Sequence, residues 1–333
     1  MSNANPWPVE AQALFERAIT VEYASLTKSG VPIMVPVTPY VSADASTLDV
    51  TTGLAYPAKA DRARRNPKVT LLFADGVGSG LSKPPVVMVQ GLASVRSADL
   101  QANTDRYVAA SLTKLPAAYR GTPKALLRRL APYFTRLWIE VTPVRMLSWK
   151  SRSLDEEPTE WLATPGTVAP PSDPAPQGRA PGPWLPPPQN WREQASRWVR
   201  GLELADVSWV GADGWPVNVP TVAIERTHSG FSVELGPFAP EPQSGPSTLT
   251  LHSHSADFST QENHTFVGTL IQSDSGLTFE ADRVLADVSL RGNKIRRTMD
   301  FLSKVRLLGT RLDEEAARYG QTAPTIKFQV PAG

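Results

Sequence analysis

The chain has no cysteine, which excludes disulfides, thiolate metal ligands and thiol nucleophiles. No apolar run approaches the roughly 18 residues of a membrane-spanning helix. The formal net charge is only +2, too small a field to draw nucleic acid or an anionic membrane as the main partner. Met1 to Ala13 carries Pro6, Pro8 and Glu10 where an export leader needs a basic start and an unbroken apolar stretch, so a cytoplasmic location is expected. Neither a Gly-x-Ser-x-Gly elbow nor a His-Glu-x-x-His run occurs, which removes the simplest hydrolase chemistries.

What is present is an ordinary globular composition. The 333 residues are 41% hydrophobic and 20% charged, enough for about two cores. The clearest break is Asp155 to Asn190, which holds eleven of the 32 prolines and cannot form regular helix or central strand. This predicts a first domain over 1–154, a linker over 155–190 and a second domain over 191–333. Trp161, Trp184 and Trp191 in or beside the linker predict that it is anchored to the folded body.

Strand-like runs at Val21–Leu26, Ile33–Val41, Thr47–Thr52, Val69–Ala74 and Val86–Val95 are separated by turn signals such as Ser29-Gly30 and Asp75-Gly76. A basic stretch, Ala58–Arg65, is helix-compatible and ends before Asn66-Pro67. Amphipathic stretches at Asp99–Leu112 and Pro123–Phe134 precede strands at Leu137–Val141 and Pro143–Trp149. The whole reads as mainly β with added helices, an α+β chain. Internal similarity is visible in three colinear pairs: Gly30–Pro36 with Gly214–Pro220, Leu48–Gly53 with Phe231–Gly236, and Asn66–Leu71 with Gly245–Thr250. A final helix is expected over Asn293–Tyr319, with Ile295, Met299, Leu302 and Val305 at helical spacing.

The segment Tyr56 to Pro67 is the strongest chemical candidate. A short helix between two strands, preceded by Thr51-Thr52 and carrying Lys59, Arg62, Arg64 and Arg65, offers hydroxyls, N–H groups and cations to a phosphate. A solvated basic helix face is the competing explanation of such a run taken alone. Gly76–Gly80 is glycine-rich but opens no helix, so it reads as a hairpin loop in which Ser79 and Ser82 are turn residues or phosphate donors. His252 and His254 share a strand face and His264 lies on the next strand, a spacing compatible with three imidazoles on a metal. With no carboxylate pattern near them in sequence, no metal is expected. Trp209 and Trp215 read as core or interface aromatics.

The run from Lys59 through Asn66-Pro67 and its following strands, closing in Pro143-Val144-Arg145-Met146-Leu147-Ser148-Trp149, resembles the pyridoxamine phosphate oxidase-like, flavin-binding split β-barrels over roughly 18–149. The resemblance implies two tandem split barrels forming an internal pseudo-dimer, the second copy degenerate. It implies an FMN-dependent oxidoreductase acting on a small-molecule redox substrate. Lys59, with Arg62 or Arg65, would hold the phosphate; Thr51, Thr52 and Ser82 would bond the polar chain; Val35, Pro36 and Val37 would face the ring; and Trp149 would cover it.

Two departures stand against FMN: Ala58 replaces the arginine that commonly precedes the lysine, and no glutamine opens the strand at Val86. Lys150-Ser151-Arg152-Ser153 replaces the oxidase's Arg-x-His signature, which implies that pyridoxamine phosphate is not the substrate. Sister groups bind a deazaflavin or haem, and a non-enzymatic cofactor-binding or sensor protein is the alternative. Pro237 to His252 contains no lysine or arginine and includes Glu241, so one cofactor per chain is expected. The internal pairing implies that a monomer suffices.

Overall fold

The computed structural model describes residues 7–116, 131–198, 204–274, 276–286, 289 and 294–326. Two antiparallel sheets with the same strand order build it. The first runs β2(Pro32–Val37)-β1(Val21–Leu26)-β5(Lys68–Phe73)-β6(Val86–Arg96)-β7(Arg136–Trp149)-β4(Leu48–Gly53)-β3(Tyr40–Val41). The second runs β10(Pro216–Pro220)-β9(Leu204–Val210)-β13(Gly245–His254)-β14(Gln261–Ser273)-β15(Gly276–Val284)-β12(Gly230–Glu234)-β11(Ala223–Arg226). Strand for strand these are two split barrels. Hairpin glycines Gly30 and Gly214 take φ of 80° and 75°, a conformation that costs other residues a steric penalty. Register shifts fall at matched places, Gln90/Gly91 and Val267/Gly268.

Strand register tests the sequence pairs. Leu48 and Phe231 face Val141 and Phe279, positions that correspond when the two sheets are overlaid. The third pair slips by one residue. Leu71 lies opposite Tyr23, and Leu249 opposite Val207, so Leu71 matches Leu249 rather than Thr250. The prolines align by loop chemistry, whereas the strands align by which side chain faces the core.

The helices are α1(Val9–Arg17), α2(Ala58–Arg65), α3(Leu100–Lys114), α4(Ala131–Phe134), α5(Trp191–Trp198) and α6(Lys294–Arg318). Asp99 caps α3 by accepting from the Ala102 N–H at 2.8 Å. Of the stretch expected as helix over Pro123–Phe134, residues 123–130 lie outside the described residues. Leu137–Val141 and Pro143–Trp149 form one strand, because Pro143 sits at the register shift where a ladder N–H is not required.

The barrels pack reciprocally. β2 lies across β9, β13 and β14, while its counterpart β10 lies across β1, β5 and β6. The backbone of Met34 on β2 is bonded on both sides, its N–H to Thr248 Oγ1 at 3.4 Å and its carbonyl to the hydroxyls of Thr250 and Thr265. Asn218, its counterpart on β10, donates to the carbonyls of Glu22 and Thr70. Isologous contacts of this kind are the mark of a two-fold dimer, here within one chain. One core gathers Phe15, Tyr23, Leu71, Phe73 and Ile139. A second joins Trp209, Phe231, Phe266 and Phe279 to Leu72, Met88 and Trp149 of the first barrel.

The proline-rich segment is strapped down and contains one short edge strand, β8(Thr159–Leu162), on β7. Asp173 donates its N–H to Val95 O at 2.8 Å, and Gln177 to Arg318 O of α6 at 3.0 Å. Although α6 follows the second barrel in sequence, its Leu312 and Ala316 complete the first core. No described helix is long and apolar enough to cross a membrane.

Candidate functional site

Strand β4 ends in a tight turn that sets the position of α2. Thr52 Oγ1 donates to Tyr56 O at 3.0 Å, and Leu54 N–H donates to Thr135 O at 3.0 Å. A Cβ on Gly53 would stand 2.2 Å from the Tyr56 ring, so only glycine lets that ring fold back over the strand end. After two turns the helix stops at Asn66, which is extended as the residue before proline must be.

This arrangement gathers three cations. Lys59 is half-buried with its ammonium 5.7 Å from the Tyr56 ring centre. Arg62 donates Nε–H to Ser25 Oγ on β1 at 2.9 Å. Arg136, 6% exposed at the start of β7, donates to the hydroxyls of Tyr56 and Tyr107. Its guanidinium also lies 4.4 Å from the Tyr133 ring centre and 4.6 Å from that of Tyr107. Among the described residues no carboxylate forms an ion pair with any of the three; Asp61 turns instead to Arg64 at 3.8 Å. Burial, then the guanidiniums of Arg62 and Arg136, pull the Lys59 ammonium down to about 7. Burial also lowers Arg62 to about 10. Partly buried positive charge without a counter-charge is costly unless an anion supplies it.

Trp184 of the proline-rich segment stacks on Tyr56, with ring centres 5.3 Å apart and planes inclined by 24°. The Tyr56 ring, 5.7 Å from both the Lys59 ammonium and the Arg136 guanidinium, is thus paired with an aromatic from a distant part of the chain.

Of the residues singled out in the sequence, Lys59 and Arg62 come together here. Arg65 is exposed on the same helix. Thr51 is buried on β4, and the Thr52 hydroxyl is already engaged with the Tyr56 carbonyl. Val35, Pro36 and Val37 are half-buried on β2. Ser82 is exposed in its loop, and Ser79 donates to Gly76 O at 2.7 Å as a turn residue does. Trp149 is 2% exposed inside the second core, its indole N–H donating to Phe238 O at 3.1 Å, so its ring is committed to packing. Tyr56, which opens the singled-out segment, joins the group through its ring and hydroxyl, and Arg136 joins it with no local sequence signal. Arg136 stands one residue before the expected strand, where only tertiary folding brings it to Lys59.

The three histidines do not converge. Leu251, not His252, lies opposite His264, so His264 projects from the other face of the sheet.

No family profile and no characterised protein matches the chain by sequence. Solved structures resemble part of it. A conserved hypothetical protein of Mycobacterium tuberculosis is 21% identical, covering 50% of this chain and 98% of that one, with a TM-score of 0.34. An F420 reductase is 17% identical, covering 40% of this chain and 94% of that one, at 0.31. A pyridoxamine 5'-phosphate oxidase-related, FMN binding protein of Nostoc punctiforme is 17% identical, covering 44% and 85%, at 0.31. Likenesses this distant carry no argument about what is bound, which rests on the chain's own residues.

Proposed function

We propose that the first barrel grips the phosphate of a flavin-type cofactor, FMN before a deazaflavin, and that the chain is a flavin-dependent oxidoreductase for a small-molecule redox substrate. The observation that carries this reading is the group of Lys59, Arg62 and Arg136, inward-facing cations with no carboxylate partner. A dianionic phosphate supplies the missing charge and accepts charge-assisted hydrogen bonds. Bound there, the flavin ring would supply hydride or electron transfer. The chain's own groups hold and orient it: Lys59 and Arg62 as charge donors, Arg136 as a guanidinium fixed by its tyrosines, and Tyr56 with Trp184 as an apolar cover.

Reconstitution tests it. The purified chain is titrated with FMN, with a deazaflavin and with haem, and followed by visible absorption. Saturation at about one FMN per chain is expected, with weaker binding in Lys59→Ala. Failure of all three ligands to bind would overturn the reading, as would two equivalent sites. A non-enzymatic cofactor-binding protein is the second reading, favoured by Trp149 being sealed in the second core rather than free to cover a ring. Bound FMN that dithionite reduces but no nicotinamide donor does would select it.

A further inference from the structure

Between the barrels lies a buried group of acids and imidazoles that the flavin reading does not use. Glu22 on β1 and Asp206 on β9 occupy matching positions, each paired with the second proline of the repeated segment, Pro36 and Pro220. They meet where the two sheets face each other. His252 on β13 stands between them, Nε2 3.4 Å from Glu22 Oε1 and Nδ1 3.5 Å from Asp206 Oδ2. Asp75 Oδ2 is 3.6 Å from the same Nε2 and is held from behind by His254 Nε2 at 2.9 Å. Arg152 reaches Asp206 Oδ1 at 2.7 Å.

The spacing is informative. An imidazolium bonded to a carboxylate closes to about 2.7–2.9 Å, yet both oxygens of Glu22 and both ring nitrogens of His252 are buried with no hydrogen bond. Donors around one tetrahedral zinc, with bonds of about 2.0–2.2 Å, stand roughly 3.3–3.6 Å apart, the separation that each ring nitrogen of His252 keeps from its own carboxylate. One donor atom from each of Glu22, Asp206 and His252 lies within 4.8 Å of the others. Three carboxylates, Glu22, Asp75 and Asp206, face one guanidinium, Arg152, and only protons shared with the imidazoles of His252 and His254 balance the rest in a region with almost no solvent, where a divalent ion can take the place of those protons.

We infer that this seam is a structural site for a divalent transition-metal ion of the zinc class, with Glu22, Asp206 and one ring nitrogen of His252 as ligands and Asp75 as the next carboxylate. Mixed imidazole and carboxylate donors suit zinc, and the other ring nitrogen remains to bond a flanking carboxylate, the arrangement that orients metal-bound histidines. Lying away from Lys59 and closed to solvent, the ion would lock the two barrels together rather than perform chemistry.

The full chain, stripped with a chelator and dialysed, is titrated with zinc chloride by calorimetry and melted with and without it. About one zinc per chain and a raised melting temperature are expected. Glu22→Gln, which preserves shape, and His252→Gln should each weaken uptake by at least about tenfold, while the exposed His228→Ala should bind as the unaltered chain does. If Glu22→Gln fails to fold, His252→Gln and the thermal shift of the unaltered chain decide. No zinc uptake, equal uptake by the variants, or an equal shift with magnesium would overturn the inference.

Discussion

The two barrels use one topology to opposite ends at the same place. In the first, the connection from β4 to β5 carries α2, which brings Lys59 close to Arg62 and to Arg136 of β7. In the second, the connection from β12 to β13 has no helix and no cation over Pro237–His252. Instead it lies against the end of the first barrel, where Trp149 donates to Phe238 O and Phe238 N–H bonds Leu154 O. The matched glycines state the difference. Gly53 makes room for a movable ring, Tyr56, whereas a Cβ on Gly236 would stand 1.9 Å from the Ser153 carbonyl oxygen. On the proposed reading the first place takes a ligand, while the second is filled with protein, so packing as well as charge supports one site per chain.

The largest expected effect is at the filled slot. Gly236→Ala forces backbone apart at the barrel contact and should destabilise by about 3 kcal/mol, the upper range of overpacking costs. Gly53→Ala meets only a side-chain ring and should cost less stability but loosen cofactor binding. Denaturant unfolding of both variants beside FMN titrations checks the contrast; equal stability losses would erase it.

Next comes the charge itself. Lys59→Ala should weaken FMN binding by about 1.5–3 kcal/mol, the scale of a charged hydrogen bond. The ligand-free protein should melt no lower, because a buried cation repelled by both Arg62 and Arg136 is gone. A fall in melting temperature without loss of affinity would make Lys59 a structural residue.

A pH series sharpens this further. With Lys59 lowered from 10.5 to about 7, the empty site loses a positive charge above neutrality. FMN affinity measured by fluorescence quenching should therefore fall by up to about tenfold per pH unit above pH 7. Lys59→Met should flatten the profile. Without ligand the sign reverses: the unfolded chain binds the extra proton between pH 7 and 10.5, so this residue's contribution to stability rises with pH across that window. The smallest effect is expected for Trp184→Ala, about 0.5–1.5 kcal/mol of cofactor affinity through the lost stack on Tyr56. No change would assign that tryptophan to anchoring the linker alone.

Local pattern carried most of the fold. Val21–Leu26 and Ala58–Arg65 are bounded as expected because alternation, turn residues and Asn66-Pro67 act within a few positions. Lys59 was legible for the same reason, since helix, strand and basic residues are contiguous. Arg136 and the acids around His252 were not. Arg136 lies 77 positions from Lys59, and Glu22 is 230 from His252; only sheet closure and barrel pairing bring them together. Trp149 shows the converse: its place in the closing strand was plain, but which barrel's core would enclose it was not.

The path of α6 carries one more consequence. Leu312, Ala316 and Tyr319 seal the hydrophobic interior of the barrel that is made first, and Arg318 clasps the strap that crosses it. On the ribosome the first barrel therefore waits, its interior unsealed, until the second barrel and α6 have followed it out. The two barrels mature as one unit, and removal of α6 injures the barrel farther from it in sequence.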